Sequence, residues 1–95
     1  QDYISFFSTK VIFTPGHTFG SVCLLIENNL FTGDTLFRGH IGRTDLPGGD
    51  KELLYKSLNC ISKLETNISI YPGHGSSSNI GDVLKNNAAF INVLK

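Results

Sequence analysis

Three short segments of the sequence each place one possible metal ligand just beyond a predicted β-strand. The ligands are two histidines, His17 and His74, and one carboxylate, Asp34. Loops at strand ends gather at one edge of an α/β sandwich, so the two imidazoles and the carboxylate could converge there. This donor set suits one or two borderline cations such as Zn²⁺ or Fe²⁺, and a carboxylate has two oxygens with which to bridge two of them. The segments are residues 14–18 (TPGHT), 32–35 (TGDT) and 71–75 (YPGHG).

Each of these ligands also has an ordinary interpretation. A histidine in a turn is commonly a solvated or hydrogen-bonded side chain, and Gly-Asp is common turn chemistry. The repeated Pro-Gly-His motif favours a shared site, while the spacing alone leaves both interpretations open. A glycine beside each ligand would let the backbone bend sharply and would leave room next to a cation for water and substrate.

The strands that must position these loops are indicated by apolar and β-branched runs that end at turn residues. Pro15-Gly16 ends the first run and Pro72-Gly73 the last, and Asn28-Asn29 predicts a two-residue hairpin turn between the middle two. The second run has a continuous apolar centre, which is typical of a strand buried on both faces. The predicted strands are residues 10–14, 21–27, 30–32 and 68–71.

Two helices are predicted to cover the sheet. Asp50 is a good N-cap for a helix of roughly four turns, and a terminal helix from Ile80 is weakened by Gly81 and the Asn86-Asn87 pair. Residues 37–49 contain four glycines and Pro47 without sustained periodicity, which predicts an ordered loop. The apolar stripes are Leu54, Leu58, Ile61 and Leu64 in the first helix and Val83, Leu84, Ile91 and Leu94 in the second.

The composition indicates one small globular domain without a charge bias. Eight basic residues balance eight acidic ones, so binding to nucleic acid or to a membrane through bulk charge is not expected. The longest apolar run, Val22–Ile26, is far shorter than the roughly 20 residues that span a bilayer, which predicts a soluble chain. Cys23 and Cys60 lack the spacing of a disulfide framework, so reduced core cysteines and a cytoplasmic location are expected. An organellar location is left open, because a targeting signal would precede Gln1.

Three blocks of the sequence resemble the metallo-β-lactamase fold hydrolases, and especially their hydroxyacylglutathione hydrolase (glyoxalase II-like) branch. The resemblance covers residues 13–90 and matches the C-terminal half of the family fold. It implies that His17 is the third histidine of the first metal site, that Asp34 bridges both metals, and that His74 is the last ligand of the second site. The blocks are TPGHTFGSVCLL, FTGDTLFRGHIGRTDLPGGD and IYPGHGSSSNIG.

The family's His-x-His-x-Asp-His motif, which supplies four further ligands, has no counterpart in residues 1–16. The resemblance therefore implies that residues 1–95 are the C-terminal half of a metallo-β-lactamase-like domain whose N-terminal half is absent. The implied fold class is α/β (α+β): half of a four-layer αββα sandwich, with a mostly antiparallel or mixed sheet and covering helices. Such a half would leave an apolar sheet face uncovered, so we expect self-association or pairing with the missing half.

The activity that the resemblance implies for the full-length protein is hydrolysis of a small-molecule thioester, such as an acyl-glutathione, by a metal-bound hydroxide. The implied cofactor is Zn²⁺ at two sites, with Fe²⁺ or Mn²⁺ as other candidates. No catalytic residue beyond the metal ligands is expected in this chain. Because His17 and His74 would serve different sites, we expect the isolated chain to bind metal weakly or not at all and to be inactive.

Two alternatives to the hydrolase stay open: a persulfide dioxygenase-like enzyme with one iron, which shares the RGxxGRTD-like loop, and a non-catalytic module that keeps the fold. Within that loop, Arg43 and Asp45 could form an ion pair that holds the loop over the strand ends, or Arg43 could meet a substrate carboxylate. The structural role is favoured. His40 is expected to be exposed to solvent and is not expected to be a ligand.

Overall fold

A computed structural model describes residues 3–6 and 8–95, and its central feature is a single mixed sheet. The strands of this part of the chain are β1 (Tyr3–Phe6), β2 (Thr9–Phe13), β3 (Val22–Ile26), β4 (Asn29–Gly33), β5 (Ser69–Pro72) and β6 (Ser78–Asn79). They lie side by side in the order β1-β2-β3-β4-β5-β6. Neighbours are antiparallel except β4 and β5, which are parallel. The predicted α/β class with a mixed sheet is confirmed.

The four strands predicted from the sequence are present, each within one residue of its expected bounds. The hairpin turn between β3 and β4 lies one residue earlier than predicted. Ile26 pairs with Asn29, so the two turn residues are Glu27 and Asn28, and Glu27 has a φ of 54°. Strands β1 and β6 were not predicted. The pair that forms β6, Ser78–Asn79, has no strand pattern of its own and is extended because it pairs with β5.

In the part of the chain that the structure describes, three helices cover one face of the sheet: α1 (Lys51–Ile61), α2 (Ile80–Asn86) and α3 (Ala88–Val93). The side chain of Asp50 caps α1 as predicted, since its Oδ1 accepts a hydrogen bond of 3.0 Å from the Leu53 amide. The predicted fourth turn is wrong. After Ile61 the chain makes i→i−3 hydrogen bonds, and Leu64 packs against the core from outside the helix. No helix in the described ranges is both long and apolar enough to cross a membrane.

The terminal helix was predicted as one element and is two, separated at Asn87. The backbone of this residue is extended, with φ −88° and ψ 98°. Its buried side chain accepts a hydrogen bond of 3.0 Å from the Phe90 amide and thereby caps α3. The sequence marked this position as unfavourable for a helix, but the break depends on the hydrogen bonds that a buried asparagine makes elsewhere in the fold.

The core lies between the sheet and the helices. It is built from one side of β2 to β5, from the apolar stripe of α1 and from the inward residues of α2 and α3. The opposite sheet face carries large apolar side chains that are about 40% exposed, as predicted for an uncovered face. Strand pairing places Phe13 opposite Val22, and Phe31 opposite Tyr71 with their rings 5.4 Å apart. The fully buried core side chains include Leu30, Leu36, Leu54, Leu58, Ile61, Ile70, Ile80, Val83 and Phe90.

Candidate metal centre

The direction of the strands brings the three predicted ligands together. Strand β2 is antiparallel to β3, β3 is antiparallel to β4, and β4 is parallel to β5. Strands β2, β4 and β5 therefore run the same way, and their carboxyl ends lie at one edge of the sheet. His17, Asp34 and His74 each follow one of these ends within a few residues. The convergence that the sequence predicted is thus a consequence of the sheet topology.

Asp34 lies between the two histidines. One of its oxygens, Oδ1, is 3.4 Å from His74 Nδ1, and the other, Oδ2, is 3.7 Å from His17 Nε2. The carboxylate thus presents a different oxygen to each imidazole. The His17 side chain is 20% exposed, that of Asp34 44% and that of His74 73%, so the site opens towards His74.

The ring of His17 is oriented by the loop that follows β4. Its Nδ1 is 2.8 Å from the backbone carbonyl oxygen of Arg43. A carbonyl oxygen can only accept, so Nδ1 carries a proton, and in the neutral ring the lone pair is therefore on Nε2, which faces Asp34. This tautomer is the one needed for a metal ligand that binds through Nε2, because the second nitrogen is then fixed by a hydrogen-bond acceptor.

Two glycines allow the backbone to pass close to Asp34. A Cβ on Gly42 would lie 2.2 Å from the Asp34 carbonyl oxygen and 3.4 Å from the Cβ of His17. A Cβ on Gly73 would lie 3.2 Å from Asp34 Oδ1. A side chain at position 42 would clash with the backbone of Asp34, and a side chain at position 73 would crowd its carboxylate. A third glycine, Gly16, has a φ of 146° and lies directly against the backbone of Leu54, which brings α1 up to the loop that carries His17.

The Arg43–Asp45 ion pair favoured from the sequence is present on the surface of the loop. It is bidentate, with Arg43 Nε 2.7 Å from Oδ1 of Asp45 and Nη2 3.0 Å from Oδ2. The hydrogen bond from Arg43 holds the pKa of Asp45 below its usual value. Because the backbone of Arg43 also accepts the hydrogen bond from His17, the loop is linked to the site through its main chain.

The three candidate ligands line a cavity of about 330 Å³ at the edge of the sheet. His40 is exposed, as predicted, but it also lines this cavity, which the sequence did not indicate. Its ring is stacked on Phe37, with centroids 4.2 Å apart and an angle of 11° between the planes. The remaining walls come from His17, Asp34, Phe37, Ile41, Arg43 and His74.

Comparison of the sequence with models of known protein families identifies the class of protein to which this chain belongs. The description of the matching model is "Metallo-beta-lactamase superfamily", and it matches residues 2–74. The chain belongs to the metallo-beta-lactamase superfamily. The matched range includes His17, Asp34 and His74.

Several relatives within the superfamily are similar over most of this chain. A probable metallo-hydrolase of Methanocaldococcus jannaschii is 44% identical over 86% of the chain and 40% of its own length. A hydroxyacylglutathione hydrolase of Haemophilus influenzae is 40% identical over 85% of the chain and 40% of its own length. A solved structure described as a di-iron-bound form superimposes with a TM-score of 0.87 at 34% identity, over 93% of this chain and 46% of that one. The chain therefore spans about two-fifths of the length of the curated relatives that it matches.

The residues present fit part of a superfamily metal centre. Two imidazoles and a carboxylate are suitable donors for a borderline cation, and the glycines leave the carboxylate accessible. Among the residues that the structure describes, no three His, Cys, Asp or Glu side chains form a ready-made metal cluster. The two histidines instead approach opposite oxygens of Asp34, which is the arrangement expected of a carboxylate shared between two positions.

Proposed function

We propose that the full-length protein carrying this chain is a metal-dependent hydrolase that cleaves a small-molecule thioester such as an acyl-glutathione. One observation carries the proposal: the two histidines approach different oxygens of Asp34, at 3.4 and 3.7 Å, beside a cavity of about 330 Å³. The similarity to a hydroxyacylglutathione hydrolase over most of the chain supports the thioester as the substrate class.

The chain's own residues would hold and orient the metal centre. His17, with its proton fixed on Nδ1 by the Arg43 carbonyl, would bind through Nε2 at one position, and His74 would bind at the other. Asp34 would set the separation between the two positions and balance part of their charge. Bound cations would supply a nucleophilic hydroxide at neutral pH and polarise the thioester carbonyl. Zn²⁺ is the proposed metal, and the di-iron-bound relative makes Fe²⁺ the main competitor.

The test is loss of thioester cleavage on removal of the shared carboxylate. Asp34→Asn keeps the shape of the side chain but removes its charge, so we expect acyl-glutathione hydrolysis to fall at least about 100-fold, together with loss of bound metal. Release of the free thiol measures the rate, and elemental analysis measures the metal. Glu65→Gln, at an exposed position outside the cavity, is the matched control and should keep both.

Other outcomes would support the alternatives. Iron with oxygen-dependent turnover and no thioester cleavage would favour a persulfide dioxygenase-like enzyme. Full activity in both His17→Ala and Asp34→Asn would mean that the chain is a non-catalytic module. For the isolated chain we propose weak metal binding or none, because His17 and His74 belong to different positions. A calorimetric titration that gave a submicromolar Kd for Zn²⁺ would contradict this.

We also propose that the exposed apolar sheet face is covered in the full-length protein by the half of the domain that this chain lacks. Phe13, Val22, Phe31 and Tyr71 are large apolar side chains exposed on this one face, and an apolar patch on a sheet commonly marks an interaction surface. The isolated chain should therefore self-associate, whereas Phe31→Lys should shift it towards the monomer. Sedimentation velocity of both forms over a range of concentrations measures this, and a monomeric wild-type chain at every concentration would refute it.

A further inference from the structure

We propose that the turn from Phe37 to His40 is a wall of the cavity that contacts the substrate. In this arrangement His40 stacks on an aromatic acyl group of the substrate. Asn87 is the positioning residue that fixes the turn. The inference rests on the proposed thioester hydrolysis and deepens it by naming the acyl class. None of these residues is among the predicted metal ligands. The observations that carry it are the hydrogen bonds of Asn87, the stacking of His40 on Phe37 and the position of both rings at the cavity.

Asn87 holds both ends of the turn with one side chain. Its Nδ2 donates to the carbonyl oxygen of Phe37 at 2.9 Å and to that of His40 at 3.1 Å. Its Oδ1 accepts from the Phe90 amide at 3.0 Å, which fixes the orientation of the amide group. Asn87 is fully buried, and within the described residues its side chain bonds to this turn and to the start of α3. A buried amide with every group paired holds its neighbours in a single arrangement.

The turn itself is short and internally bonded. The amide of Phe37 donates to the carbonyl oxygen of His40 at 3.0 Å, and Leu36 and Ile41 form an antiparallel bridge on either side. With its ends fixed by Asn87, the turn has little freedom to change the directions in which the Cα–Cβ bonds of Phe37 and His40 leave the backbone. These two side chains are the ones that face the cavity.

Phe37 joins the turn to the predicted ligand His74 through ring contacts. Phe37 is almost completely buried; its ring is stacked on that of His40, with centroids 4.2 Å apart, and is tilted by 41° against that of His74, with centroids 5.1 Å apart. His40 is the exposed outer member, so its free face is available to a bound molecule. A flat π surface at the side of a cavity favours offset stacking with another flat group. Within the shared cavity, an aromatic acyl group has a ring that can stack on this surface, whereas an acetyl group has none.

The experiment compares two thioesters of the same thiol, one with an acetyl and one with a benzoyl group, in the full-length protein. His40→Ala removes the outer ring from an exposed position and should raise KM for the benzoyl thioester about three- to tenfold, the range expected of one stacked pair. The KM for the acetyl thioester should change less than the KM for the benzoyl thioester, because an acetyl group has no ring to stack on His40. His40→Phe keeps the stack and should restore the benzoyl KM.

Asn87 is tested by separating its two roles. Asn87→Asp and Asn87→Ser both keep an oxygen that can cap α3, but they lose the amide donors to Phe37 and His40. Each should reproduce the benzoyl-specific rise in KM, and adding His40→Ala should not increase it further. Asn92→Asp, the same change at an exposed position of α3, is the matched control and should be silent.

A readout independent of activity is the ring-current shift of the His40 protons in NMR spectra of the protein with labelled histidines. Stacking on Phe37 should shift these protons upfield, and Asn87→Ser should remove the shift while Asn92→Asp keeps it. Retention of the shift in Asn87→Ser would overturn the positioning role. Equal effects of His40→Ala on both thioesters, or none on either, would overturn the acyl contact. Failure to cleave either thioester would refute the proposed function and the acyl contact with it, while the NMR result would still decide the role of Asn87.

Discussion

Gly42 provides the sharpest test of how the loop positions the candidate site. Its Cα passes so close to Asp34 that an added Cβ would lie 2.2 Å from the Asp34 carbonyl oxygen, a separation that real Cβ atoms essentially never show. The φ angle of Gly42 is not in the left-handed region, so Gly42→Ala introduces a steric clash without backbone strain of its own. The amide of Gly42 also donates to the Thr35 carbonyl at 2.9 Å, which limits how far this residue can retreat.

The size of the effect follows from the distances. Relief of the clash to 3.0 Å requires the two backbones to separate by about 0.8 Å. Overpacking of this kind typically costs about 1–3 kcal/mol in the free energy of unfolding. Ligand positions in metal sites tolerate only about 0.2 Å, so a displaced Asp34 should also reduce metal affinity, by about 10- to 100-fold.

The assay pairs urea denaturation with a competitive zinc titration, both on the full-length protein. Gly39→Ala is the matched control, because it lies in the same loop, has no heavy atom within 4 Å of its added Cβ and should change stability by less than about 0.5 kcal/mol. If Gly42→Ala matched Gly39→Ala in both measurements, the close approach to Asp34 would have no energetic meaning. Loss of stability with unchanged metal affinity would show that the loop moves and Asp34 does not, which would refute the proposed role of Gly42.

Three further predictions concern the helix cap, the cysteines and the surface ion pair. Asp50→Ala should lower the free energy of unfolding by about 1 kcal/mol in urea denaturation, whereas Asp50→Ser should keep most of it; equal losses would argue against the cap. Burial raises the pKa of the Cys23 thiol to about 11, so iodoacetamide at pH 8 should modify the half-buried Cys60 first. Mass spectrometry follows the modification of each cysteine, and equal rates would contradict the burial of Cys23. Because hydrogen bonding to Arg43 lowers the pKa of Asp45, the ion pair should stabilise the fold above the ordinary carboxyl pKa and lose that effect as pH falls through the lowered value. Arg43→Gln should return the pKa of Asp45, measured by NMR titration, towards its ordinary value; an unchanged pKa would refute the pairing.

The local structure was predictable where one sequence signal acts alone. Asp50 caps its helix, and the Pro-Gly pairs end their strands, because these effects depend on the residue and its immediate neighbours. Prediction failed where the local structure depends on a contact with a residue that is distant in the sequence. Strand β6 forms because its backbone pairs with β5. The terminal helix breaks at Asn87 because the side chain of this residue is hydrogen-bonded to a turn 50 residues earlier in the chain.

The candidate site was likewise predicted in part. His17, Asp34 and His74 were identified from residue types beside strand ends and from the resemblance of their sequence blocks to a family. Neither source indicated that Asp34 turns a separate oxygen to each histidine, or that the Arg43 carbonyl fixes the tautomer of His17. Nor did they place His40 at the cavity, since a histidine in a glycine-rich loop has no local signal that distinguishes a cavity wall from open solvent.

By itself, the sequence of this protein determined the superfamily, the covering helix α1 and the choice of candidate ligands, because chemistry at a given position depends on residue type and short-range pattern. Only the tertiary structure decided the geometry of the site. Its edge forms because β2, β4 and β5 run in one direction, and parallel pairing of β4 with β5 is a contact between segments almost 40 residues apart. Distances of 3 to 4 Å between such segments are set by packing of the whole sheet and its helices, which no local pattern encodes.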